Sequence, residues 1–69
     1  MGNEMKFEDG FVGMFVRDNF PYENERKRGK MAYISGITET KNGEPIFVIK
    51  NTDGKEYSIN PKFCSMALA

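Results

Sequence analysis

The side chains that carry most enzymatic chemistry are scarce in this chain. It has no histidine, a single cysteine (Cys64) and no serine in a nucleophile-elbow setting, so the usual nucleophile–base constellations cannot be assembled. Paired carboxylates occur only as Glu8-Asp9 and Glu23/Glu25, in polar segments where solvated charge is expected rather than a tuned acid–base dyad. A zinc site would have to combine Cys64 with carboxylates alone, outside the cysteine–histidine sets that bind this metal. The residues thus point to a protein that is not an enzyme and uses no cofactor or metal. Cys64 sits in an apolar stretch and reads as a small core residue.

Two features carry binding chemistry instead. Arg26-Lys27-Arg28-Gly29-Lys30 is a dense basic run, and Phe20 and Tyr22 lie just before it. Together they could grip a phosphate backbone while a ring stacks on a base. Against that stand Glu23 and Glu25, which offset the run, and a total of ten basic and ten acidic residues, which gives no long-range field for nucleic acid. Phe20-Pro21-Tyr22 fits a second chemistry: aromatics beside a proline offer contact area with little rotamer entropy to lose, as protein-contact anchors do. The alternative is that either ring folds back as a lid on the core. The expected partner-binding set is Phe20, Tyr22, Arg26, Lys27, Arg28 and Lys30, with a protein as partner and nucleic acid as the alternative ligand of the basic run.

These residues need a scaffold, and 69 residues allow one small domain. A chain of this length buries only about 60% of the surface its unfolded form exposes. Five short apolar runs, 11–16, 31–37, 46–49, 57–59 and 63–68, read as strands. In the first, Val12, Met14 and Val16 alternate with Phe11, Gly13 and Phe15, so both faces are apolar and one must be covered or used. A self-associating dimer is one way to cover it.

The connectors are distinct in character. Residues 17–29 form the longest, and the charge changes sign inside it: six acids against two bases up to Glu25, net −4, and +4 thereafter. Gly36 within the second run suggests a bulge. Asn42-Gly43 predicts a type I′ hairpin turn pairing the second and third strands antiparallel. Pro45 opens the third strand, and Asp53-Gly54 gives a second hairpin, as type I′ or as type I with Gly54 left-handed. Asn60-Pro61 suits the start of a short 3₁₀ turn before the last strand. Residues 1–9 show no periodicity and read as a flexible tail or weak strand, leaving 10–69 as the domain.

Strand, long loop, strand, tight turn, strand, tight turn, strand, 3₁₀ turn, short strand resembles the order of an SH3-like barrel. Gly13-Met14-Phe15-Val16-Arg17 followed by Gly29-Lys30-Met31-Ala32-Tyr33-Ile34 is similar to the glycine–valine–arginine and glycine–lysine rhythm of KOW modules, with Ala32 where those have glycine. The resemblance implies an all-β fold, a five-stranded SH3-like barrel closed by the last strand against the first. It also implies a loop used for ligands. A lone cysteine suits a reducing compartment, and no apolar run approaches the roughly 18 residues of a membrane span, so the expected setting is the cytoplasm with no membrane contact.

Overall fold

A computed structural model of the protein describes residues 5–24 and 29–67. Its five strands are β1 (Phe15–Asp18), β2 (Lys30–Glu39), β3 (Pro45–Asn51), β4 (Glu56–Ile59) and β5 (Cys64–Met66), with 3₁₀ turns at Phe7–Asp9 and Pro61–Phe63. All pairings are antiparallel. The first strand lies further along the chain than the apolar run suggests. Residues 11–14 form a turn, closed by the Met14 N–H donating to the Phe11 carbonyl at 3.0 Å, and Gly13 takes φ +98° at its centre.

Both hairpins owe their geometry to one glycine each. Gly43 and Gly54 have φ of +82° and +85°, and no non-glycine among the described residues has positive φ. Asn42 is therefore not in the conformation a type I′ turn requires. The Gly43 N–H donates to Thr40 and the Thr40 N–H to Glu44, both at 2.9 Å, which is a type I turn followed by a left-handed glycine. The Asn51–Lys55 turn repeats the pattern, with the Asn51 side chain accepting from the Asp53 and Lys55 amides at 2.9 and 3.1 Å.

The bulge falls where Gly36 suggests it: the β2–β3 register shifts between Ile34 and Gly36. The extra residue places Ile34 and Ile37, of opposite parity in sequence, on one face opposite Ile49 and Phe47. That face carries the core, Val16, Ala32, Ile34, Phe47, Ile49, Ile59 and Cys64. Burying a side chain such as Phe47 stabilises by roughly 1.5–3 kcal/mol, so a few residues carry much of this small fold. Met5 is buried in the same cluster, and Phe7 stacks on Phe47 with ring centroids 5.5 Å apart. Part of the stretch expected to be a tail thus roofs the sheet.

The sheet is not a barrel. Its strand order is β4-β3-β2-β1-β5, which leaves β4 and β5 as the two edges of one open sheet. The SH3-like expectation fails at this step. β5 does pair with β1 as expected, but only over Val16↔Met66, Arg17↔Ser65 and Asp18↔Cys64, and no ladder joins β5 to β4. The 3₁₀ turn Pro61–Phe63, begun by the Asn60 side chain accepting from the Lys62 amide at 3.0 Å, carries the chain from one edge to the other. Order and connector lengths are the same for an open and a closed sheet, so the KOW-like rhythm does not extend to closure. No helix among the described residues is long and apolar enough to cross a membrane.

Candidate functional site

The alternation that buries Val16 runs one step further and buries Asp18, which is 2% exposed. A carboxylate taken out of water needs donors, and this one has three. Its Oδ1 accepts from the Phe20 amide at 3.0 Å. Its Oδ2 accepts from the Tyr22 hydroxyl at 2.6 Å and the Tyr57 hydroxyl at 2.5 Å. Tyr22 belongs to the long connector and Tyr57 to β4, so one carboxylate on β1 ties the loop to the far side of the sheet. Among the described residues no buried side-chain polar atom lacks a partner.

The loop is held at its ends as well. The Asn19 amide donates to the Phe63 carbonyl at 2.8 Å and the Gly29 amide to the Asp18 carbonyl at 2.6 Å. Asn19 Nδ2 donates to Ser65 Oγ at 2.8 Å, and an Arg17 guanidinium N–H donates to the Gly29 carbonyl at 3.0 Å. Gly29 has φ +68°, a conformation that favours glycine.

Two clefts flank this tie and share Tyr22 and Tyr57 as a wall. One, of about 360 Å³, is lined by Asp18, Lys30, Asn51, Asp53 and Lys55 among others. The other, of about 390 Å³, is lined by Phe20, Tyr57, Ser58, Ile59, Asn60 and Phe63 with Tyr22. Phe20 is 39% exposed, and its ring meets Phe63 edge-on at 4.8 Å and Tyr22 at 5.0 Å. The Lys62 ammonium sits 5.1 Å from the Phe63 ring centroid.

The electrostatics make these groups donors rather than reagents. Burial, and then the bond to Asp18, push the Tyr57 hydroxyl far above its ordinary range. The same two causes in the same order raise Tyr22. Burial, with a smaller contribution from the Asp18 charge, pushes the Cys64 thiol up to about 12, so it stays protonated at neutral pH and is a weak nucleophile. No group of three or more His, Cys, Asp or Glu side chains among the described residues is placed to hold a metal ion.

Of the residues singled out from sequence, Phe20, Tyr22 and Lys30 line the two clefts. Arg26, Lys27 and Arg28 lie outside the described residues. Phe20 and Tyr22 have different places: Phe20 stays partly exposed with its ring against Phe63 and Tyr22, whereas the Tyr22 hydroxyl is turned onto Asp18. Asp18, Tyr57, Ile59 and Phe63 are additions. The parity of Val16 carried past Arg17 was the available signal for Asp18, and the alternation of Tyr57 and Ile59 was the signal for β4. In comparisons with known proteins, no family model, no curated protein and no solved structure matches this chain.

Proposed function

We propose that the protein is a non-enzymatic binding module or small regulatory subunit that recognises a partner protein through the aromatic cleft formed by its long loop and β4. The observation that carries this reading is the partly exposed Phe20 lining a cleft together with Tyr57, Ile59 and Phe63. Rings already fixed by one another lose little freedom on binding. Lys30 borders the neighbouring cleft, and in this reading it and the basic residues Arg26, Lys27 and Arg28 assist by charge. A buried single cysteine accords with a cytoplasmic setting.

The test is affinity capture from a native extract with and without nuclease, using the wild-type chain and Phe20→Ala. A nuclease-resistant protein complex that Phe20→Ala loses, while its circular dichroism is unchanged, is the expected result. A catch that disappears with nuclease and weakens steeply with salt transfers the function to nucleic acid, with Arg26, Lys27, Arg28 and Lys30 as phosphate contacts. A protein complex indifferent to Phe20 overturns the cleft as its seat.

A further inference from the structure

The aromatic cleft is lined by four consecutive residues, Tyr57, Ser58, Ile59 and Asn60. Successive residues of a strand point to opposite faces, so a cleft that touches all of them runs along the strand's edge and not over one face. That edge is β4, the end of the sheet order. Its exposed backbone groups follow from parity. The Asn51 amide donates to the Lys55 carbonyl at 3.0 Å, which makes Asn51–Lys55 a hydrogen-bonded pair. Bonded and non-bonded pairs alternate in an antiparallel ladder, so the backbone groups of Tyr57 and Ile59 face β3 while those of Glu56 and Ser58 point outward, Ser58 lining the cleft and Glu56 one step beyond its Tyr57 end.

We propose that a partner binds by strand addition: an extended segment of another protein lies in the cleft, pairs with the outward backbone groups of Glu56 and Ser58, and seats alternate apolar side chains against Phe20 and Phe63. This rests on the protein-binding reading above and specifies its mode. Phe20 and Phe63 line the same cleft as this edge. Charge distinguishes the ends of the segment. At the Tyr57 end Lys30 and Lys55 are offset by the exposed acids Asp53 and Glu56, so that end carries no net positive charge. Lys62 stands at the Phe63 end. The complementary ligand is apolar at alternate central positions and acidic at the terminus that meets Lys62. Strand addition draws affinity from main-chain bonds and selectivity from alternate side-chain pockets.

A display library of random dodecapeptides, panned on the full chain and counter-selected on Phe20→Ala, supplies the probe. Enriched peptides should show alternating apolar residues with an acidic residue at one end, and Lys62→Glu should reverse that preference. N-methylation of one such peptide, residue by residue, should weaken binding with a period of two, by at least about tenfold at each sensitive position, the scale of a lost backbone bond or two. Ser58→Pro removes an outward N–H at an edge where proline is tolerated and should weaken binding comparably with the thermal midpoint retained. If that variant does not fold, the N-methyl scan and slowed hydrogen exchange of the Glu56 and Ser58 amides on peptide binding decide instead. Peptides that need Phe20 but show neither the two-residue period nor amide protection overturn strand addition and leave the cleft reading standing. Failure to enrich any Phe20-dependent peptide overturns both.

Discussion

Replacing Tyr57 by phenylalanine removes one oxygen atom and keeps the ring that lines both clefts, which makes it a sharp test of the Asp18 tie. The lost bond is short, 2.5 Å, and its acceptor is a carboxylate that is 2% exposed. A hydrogen bond to a charged group contributes about 1.5–3 kcal/mol, and water cannot readily replace the missing donor at a buried oxygen. Tyr57→Phe should therefore lower unfolding stability by about 1.5–3 kcal/mol. For a domain of this size each kcal/mol moves the thermal midpoint by about 4–8 °C, so the fall is roughly 6–24 °C. Tyr22→Phe acts on the same Oδ2, and the double variant should cost less or more than the sum of the singles, because residues sharing one acceptor are coupled. Urea denaturation of wild type, both singles and the double, with Tyr33→Phe on the opposite face as control, measures each quantity. A Tyr57→Phe midpoint within about 0.5 kcal/mol of wild type, the range of an unremarkable surface change, would refute the claim that this carboxylate ties loop to sheet.

Three further outcomes are expected. At Gly10 a Cβ would lie 2.5 Å from Phe47 Cζ and 2.8 Å from Ile34 Cδ1, both fully buried side chains, so Gly10→Ala should destabilise by about 1–3 kcal/mol through overpacking; an unchanged urea midpoint contradicts the close passage of the chain over Phe47. Cys64, 1% exposed and with its thiol pushed up to about 12, should resist a thiol reagent such as dithionitrobenzoate in the native state and react on adding denaturant, and prompt native labelling would place it outside the core. Alkali should weaken the fold: Tyr22, Tyr57 and Cys64 hold their protons more tightly folded than unfolded, so their contribution is complete below the ordinary thiol and phenol values and declines as the unfolded chain deprotonates first. Urea midpoints at about pH 8 and about pH 10.5 should show the decline, and Tyr57→Phe should reduce it.

What sequence made legible was local. The bulge near Gly36, the proline-opened β3, the Asn60 start of the 3₁₀ turn and the left-handed Gly54 each depend on one or two residues whose conformational limits are intrinsic. The first strand was misplaced because the run 11–16 is uniformly apolar, and only tertiary hydrogen bonds, such as the Gly13 amide to the Ile34 carbonyl at 2.7 Å, show that its first half is a turn. Asn42-Gly43 misled on turn type, since an Asn-Gly pair serves equally well when only the glycine is left-handed. Closure of the sheet is non-local: whether β4 meets β5 depends on the path of residues 60–63, which no periodicity encodes. At the site, Phe20 and Tyr22 stood out as aromatics in a long loop. Asp18 did not, because a charged residue after an apolar run looks like its end, although the two-residue period continued through it.

The two edges of the sheet are not equivalent. On β5 the outward Cys64 carbonyl already accepts the Met5 amide at 3.0 Å, while β4 has no such cover from its own sheet. Filament growth by edge pairing needs two compatible open ends on every subunit. Among the described residues β5 is capped at Cys64, which leaves β4 the less protected edge. The N-terminal stretch that roofs the core thus also caps the β5 edge, and removing its contact at Cys64 should expose a second edge and favour edge-to-edge polymerisation.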